Sequence, residues 1–190
     1  MEKLLKEIRA CRFCEPDLQL GANPVLRASK NSRILVVGQA PGTRVHNTGI
    51  PWNDPSGIQL RKWLNVTDEQ FYDPEIFAIV PMGFCYPGKG RSGDLPPDPR
   101  CGPKWHPLLL EKMPNIELVL LIGMYAQRYY LGDKAKRTLT ETVSNFEEYI
   151  PRYFPMPHPS PRNRFWLKKN EWFEDSLVPI LREKVAKLIP

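Results

Sequence analysis

Arg33-Ile-Leu-Val-Val-Gly-Gln-Ala-Pro-Gly42 is the stretch that decides the fold. Ile34 to Val37 are all aliphatic, so they read as a short strand buried on both faces; a half-exposed strand would alternate polar and apolar residues. The Gly/Pro turn that follows ends it. Similar runs recur downstream. Ile76–Val80 lies between Pro74 and Pro81, Leu118–Ile122 is stopped by Gly123, and Tyr149–Met156 is broken by proline. Between the runs stand segments of helical periodicity. These are residues 1–10, with Leu4, Leu5 and Ile8 on one face, then 56–65, 104–112 and 124–131, and finally 163–173 and 175–188. Short strands alternating with helices predict an α/β protein, a three-layer α/β/α sandwich with a short, mostly parallel central sheet. A length of 190 residues suits one domain, 1–190.

Charge and composition narrow the function. Lys and Arg number 27 against 21 Asp and Glu, a formal +6, and 42% of residues are hydrophobic, which argues against wholesale disorder. No apolar run approaches the ~20 residues of a membrane helix. The opening MEKLLKEIRA alternates Leu with charge and lacks the apolar core of a signal peptide. Secretion and membrane insertion are therefore poor readings, and a cytoplasmic protein is expected. The 21 prolines are roughly twice the usual share, and many fall in the loops discussed next.

The four cysteines are Cys11 and Cys14, a C-x2-C pair, and Cys85 and Cys101, with fifteen residues between them. Four thiolates in an intracellular chain suit tetrahedral zinc or an iron–sulfur cluster. The seventy residues between the pairs span a strand–helix–strand stretch. Such a site would staple the N-terminal segment to a distant loop instead of folding a local finger. The alternative is four unrelated buried thiols.

In open parallel sheets, ligands sit beyond the carboxyl ends of the strands. Three unusual segments fall there: Gly38–Gly42 after the first strand, the Gly/Pro-rich loop 81–103 after the second, and His158-Pro-Ser-Pro-Arg-Asn163 after the last. One pocket can collect all three. GQAPG is not a nucleotide phosphate loop, because it has neither a GKS/T ending nor GxGxxG spacing.

Taken in order, Cys11/Cys14, GQAPG at 38–42, GIPWNDPSG at 49–57, Cys85/Cys101, LIGMYAQRYYLG at 121–132 and HPSPRN at 158–163 resemble the uracil-DNA glycosylase superfamily. Within it they are most similar to the branch that carries an iron–sulfur cluster, over residues 1–170. The resemblance implies an enzyme of base excision repair that flips a damaged or deaminated base, uracil by default, out of DNA and hydrolyses its N-glycosidic bond. It implies that His158 donates to the departing base and that Trp52 stacks on it. Gly38, Gln39, Ala40 and Pro41 would line the base site. It also implies a structural [4Fe–4S] cluster on the four cysteines, with zinc as the alternative. DNA contacts fall to Ser160, Arg162, Asn163, Arg164, Arg44, Lys89 and Arg91. The implied state is a monomer that binds lesion-containing DNA, with downstream repair proteins as possible partners and no membrane.

Several positions depart from the family's pattern. Gln39 replaces the branch's Glu, and Ala40 stands where the wider superfamily has its water-activating Asp. Asp54 and His46 are the local candidates to orient water. Asp54 is preferred because a carboxylate beside the sugar also stabilises positive charge; its structural alternative is to cap the next helix. Pro81 stands where the branch reads uracil with an Asn side chain. That departure keeps two alternatives open: a glycosylase for hypoxanthine, xanthine or a modified pyrimidine, and a catalytically weak damage sensor.

Overall fold

The aliphatic runs pair with one another. The computed structural model, which describes residues 1–189, forms one four-stranded sheet from β1 (Ile34–Val37), β2 (Phe77–Ile79), β3 (Leu118–Ile122) and β4 (Tyr153–Met156). The order is β2-β1-β3-β4 and every pair is parallel, with Ile34 opposite both Phe77 and Leu118, and Val119 opposite Tyr153. Around it lie α1 (Glu2–Arg9), α2 (Thr43–Thr48), α3 (Pro55–Leu64), α4 (Asp68–Tyr72), α5 (Cys101–Glu111), α6 (Met124–Leu131), α7 (Leu139–Ser144), α8 (Arg164–Lys169) and α9 (Val178–Ala186). No described helix is long and apolar enough to cross a membrane.

Strand alternation separates two cores. Val36, Leu120 and Phe154 pack with Leu60 of α3, Phe71 of α4, Val143 of α7 and Leu181 of α9. Their neighbours Leu35, Val37, Val119 and Leu121 face the other way, against Ile8 of α1, Leu109 of α5 and Ala126 of α6. Each such side chain, fully buried, contributes about 1.5–3 kcal/mol. The expected α/β/α layering follows directly.

Helix boundaries differ from the sequence expectation for local reasons. α3 begins at Pro55, not Ser56, because Asp54 is its cap: Oδ1 accepts the Gly57 N–H at 2.8 Å. α5 begins at Cys101, three residues early, since Pro103 sits in the first turn, where its missing N–H costs nothing. α2 lies in a stretch read as loop. α4 and α7 were also not anticipated, although each opens with a capping box, Thr67/Gln70 and Thr138/Glu141. The helix expected over 163–173 ends at Lys169, and a π-helical turn, Phe173–Leu177, leads into α9. β4 begins only at Tyr153.

The ladder continues past the strand ends. Met82 N–H donates to the Gly38 carbonyl and Gly83 N–H to that of Gln39, each at 2.9 Å. These bonds stitch the loop after β2 to the GQAPG turn, so both converge on one sheet edge.

Candidate active site and cysteine centre

The three loops enclose a cleft of about 430 Å³, including its open mouth. Gly38 to Gly42, Pro51, Trp52, Asp54, Pro81 and His158 line it, and Val25, Val45 and Ile79 form an aliphatic inner wall. An open groove of about 680 Å³ continues from it past Gln39 and His158 to Ser160, Arg162 and Asp94.

Trp52 is held in a costly conformation. Its φ is +56°, in the left-handed region that a bulky residue avoids at roughly 1–3 kcal/mol. Three contacts enforce it. Arg61 Nη1 donates to the Trp52 carbonyl at 3.3 Å, and the Tyr72 hydroxyl donates to that of Pro51 at 3.0 Å. Gly57 makes room on the third side, since a Cβ there would lie 1.7 Å from the Trp52 oxygen. Arg61 is itself buried, ion-paired to Asp68 at 2.6 Å and flanked by Phe71 and Tyr72. The indole then lies against Gly38, where a Cβ would come within 2.9 Å of its ring. Its centroid is 5.4 Å from the His158 imidazole at 30°, so the two rings make one wall of the cleft.

His158 is placed by its own loop, whose main-chain carbonyl accepts the Asn163 side-chain amide at 2.7 Å. Neither imidazole nitrogen has a hydrogen-bond partner among the described residues. Burial pushes the imidazole pKa down, opposed by the carboxylates of Asp54 and Asp94. At neutral pH the ring is therefore uncharged, with one N–H to donate. Gln39 donates Nε2–H to the Leu95 carbonyl at 3.2 Å, which leaves its amide oxygen as an acceptor. The main-chain N–H groups of Gln39 and Ala40 make no hydrogen bond among the described residues. The site thus offers one imidazole donor, two main-chain donors, an amide acceptor and an aromatic face. That set suits a planar heterocycle bearing carbonyl oxygens.

Pro81 lines the cleft as a purely apolar surface, and its carbonyl accepts Nε2–H of buried His106 at 2.9 Å. Asp54 lines the cleft while serving as the α3 cap. His46 is not among the residues lining the cleft; its ring lies 6.2 Å from that of Tyr86. Ser160 and Arg162 line the groove, with Ser160 Oγ accepting the Arg162 N–H at 3.2 Å. Arg44, Lys89, Arg91 and Arg164 are exposed but line neither cavity, and Arg164 stacks on Phe165 at 4.9 Å. Asp94 was missed by sequence reasoning, because only the folded hairpin brings it to His158.

All four cysteines border a second cavity of about 470 Å³, beside Phe13, Phe84 and Trp105. Cys11 follows α1, Cys14 caps a 3-10 turn, and Cys101 opens α5 while its Sγ accepts the Phe84 N–H at 3.4 Å. Arg100 clamps the rim through Asp98 at 2.6 Å and Asp17 at 2.5 Å. Burial pushes the Cys101 thiol up to about 12 and Cys14 up to about 11. A cationic centre is therefore what would make thiolates of them. Among the described residues no three His, Cys, Asp or Glu side chains are grouped to hold a single metal ion. All four cysteines border the same cavity, and four thiolates are the donor set of a structural zinc or of an iron–sulfur cluster.

The geometry defines a cleft at the carboxyl edge of a parallel sheet, lined by an imidazole, an indole and the GQAPG turn. The model of the uracil DNA glycosylase superfamily matches residues 27–182, and the chain belongs to that family. Among curated proteins it is similar to the Type-4 uracil-DNA glycosylase of Thermotoga maritima, 24% identical over 163 residues, covering 84% of this chain and 81% of the relative. Among solved structures, Pedobacter heparinus SMUG2 aligns with 80% of this chain and 76% of its own, at 15% identity and a TM-score of 0.42.

Proposed function

We propose that the protein is a DNA glycosylase that hydrolyses the N-glycosidic bond of a damaged or deaminated base, with uracil as the default substrate. The observation that carries this reading is the neutral, unpartnered His158 beside Trp52 in the 430 Å³ cleft. A base flipped from the stack lies against the indole. As the bond to the sugar breaks, its electron pair moves onto the base, and His158 steadies that charge by donating its N–H to a base oxygen. The main-chain N–H groups of Gln39 and Ala40 and the Gln39 amide oxygen read the base edge, in place of a side chain at Pro81. Gly38 and Pro41 complete the floor. Asp54 stabilises the positive sugar electrostatically. Ser160, Arg162, Asn163 and Arg164 hold the DNA backbone, with Arg44, Lys89 and Arg91 adding longer-range attraction.

The cysteines are proposed to hold a [4Fe–4S] cluster. It would join α1, the loop after β2 and α5 as a structural centre, and every proton and charge named above belongs to other residues. The working unit is a monomer acting on cytoplasmic, nucleoid DNA. Pro81 and the aliphatic wall of Val25, Val45 and Ile79 favour a second reading, a glycosylase for another base, because an apolar wall discriminates weakly between rings.

Oligonucleotides carrying single uracil, hypoxanthine, xanthine or hydroxymethyluracil, single- and double-stranded, test both readings. Alkali-labile sites formed by wild type and lost in His158→Ala support the enzyme, and the base released identifies the substrate. Salt-sensitive binding without release from any substrate would mark a sensor instead.

A further inference from the structure

The loop between Cys85 and Cys101 does more than carry cysteines. Gly88 to Leu95 fold into a hairpin: Leu95 N–H donates to the Gly88 carbonyl at 2.9 Å, Gly90 N–H to that of Gly93 at 2.7 Å, and the main chains of Lys89 and Asp94 form an antiparallel bridge. Three distant segments brace it. Gln19 Oε1 accepts the Lys89 N–H at 2.9 Å, Gln39 Nε2 donates to Leu95, and Arg162 packs over Gly93, its Nη1 2.7 Å from where a Cβ would stand. The hairpin thus presents Asp94 to the groove at a fixed place. Asp94 Oδ1 accepts from the buried Tyr86 hydroxyl at 3.4 Å, and Oδ2 lies beside Gly42 at the end of the GQAPG turn.

Asp94 is the one acidic residue lining the groove it shares with Gln39, His158, Ser160 and Arg162. It makes no ion pair among the described residues. Asp54, the other carboxylate near His158, has Oδ1 committed to the helix cap. A lone carboxylate in the groove proposed to hold the DNA backbone opposes phosphate binding.

We propose that Asp94 is a catalytic residue, held by Tyr86, that receives and orients the attacking water. This rests on the glycosylase reading. The bond from C1′ to the base nitrogen breaks with its electron pair on the base, and the water oxygen bonds to C1′. The water proton passes to the Asp94 carboxylate and then, through solvent, to the departed base anion. Tyr86 is a positioning residue.

The test is single-turnover base release at saturating enzyme, with DNA affinity measured in parallel by fluorescence anisotropy, for wild type, Asp94→Asn, Asp94→Ala and Tyr86→Phe. Both Asp94 variants should release base about 10²-fold more slowly, yet bind DNA as tightly as wild type or more tightly. Tyr86→Phe should slow release less, at unchanged affinity. A purely electrostatic surface role moves affinity alone, so saturated rates within threefold of wild type overturn the assignment. A wild type that releases no base from any substrate overturns the glycosylase reading and this assignment together.

Discussion

Replacing Gly57 by alanine sets two physical effects against each other. Gly57 is the third residue of α3, and on helix propensity alone the change stabilises by about 1 kcal/mol. The tertiary structure reverses the sign. A Cβ at 57 would lie 1.7 Å from the Trp52 oxygen, 2.6 Å from its carbonyl carbon and 2.9 Å from its Cβ. Two of these are backbone atoms, and ordinary contact needs about 3.5 Å, so the Trp52 peptide must retreat by roughly 2 Å. Overpacking of this kind costs about 1–3 kcal/mol. The same retreat breaks the Arg61 bond to the Trp52 carbonyl, about 1.5–3 kcal/mol for a charged donor. After the propensity gain, about 1.5–5 kcal/mol of net loss remains, which lowers the Tm by about 3–20 °C in a chain of this size. Because the indole moves with its backbone, base release should fall about 10²-fold. Calorimetry and single-turnover release read the two effects. A Gly57→Ala protein with a raised Tm and wild-type release would refute the account of how Trp52 is held.

Other expectations follow from individual groups. Trp52→Ala should slow base release about 5- to 150-fold, the value of one lost base–aromatic stack, with Trp52→Phe close to wild type; the rate at saturating enzyme checks it. Burial holds the His106 imidazole down to about 4. The unfolded chain therefore binds that proton first as pH falls. The contribution of His106 is complete above about pH 6.5 and is lost towards pH 4, on the order of 3 kcal/mol. Urea unfolding at stepped pH should show a shallower loss for His106→Gln, with some slope left from His158, whose shift has the same sign; identical slopes contradict the assignment. Anaerobically purified protein should carry iron and acid-labile sulfide, and Cys101→Ser should lose both and unfold at lower temperature; stoichiometric zinc without iron contradicts the cluster.

Much of this was legible in the residues. ILVV, IFAIV and LVLLI announce buried parallel strands because nothing polar interrupts them, and the GQAPG and HPSPRN loops could then be placed on one sheet edge. The D-P-S-G order at 54–57 already contained both readings of Asp54, and the structure realises its cap while leaving it at the cleft. Short helices such as α2 escaped because six residues show too little periodicity to separate from loop. The left-handed backbone of Trp52 was illegible, since it follows from Arg61, Tyr72 and Gly57 acting at once. Asp94 was missed for a related reason. Its hairpin has no apolar pattern, and its place depends on Gln19 and Gln39, which bond Lys89 and Leu95 at sequence separations of 70 and 56 residues.

The central claim, that this cleft cleaves an N-glycosidic bond with His158 donating to the leaving base, is tested most directly by measuring free base. Wild type and His158→Ala are mixed in excess with a uracil-containing oligonucleotide and its hypoxanthine, xanthine and hydroxymethyluracil counterparts, and the liberated base is quantified by mass spectrometry. The account predicts stoichiometric release of at least one base by wild type and a rate 10²- to 10⁴-fold lower for the variant at equal DNA affinity. Release by His158→Ala at the wild-type rate, or none from wild type with any substrate, would contradict it.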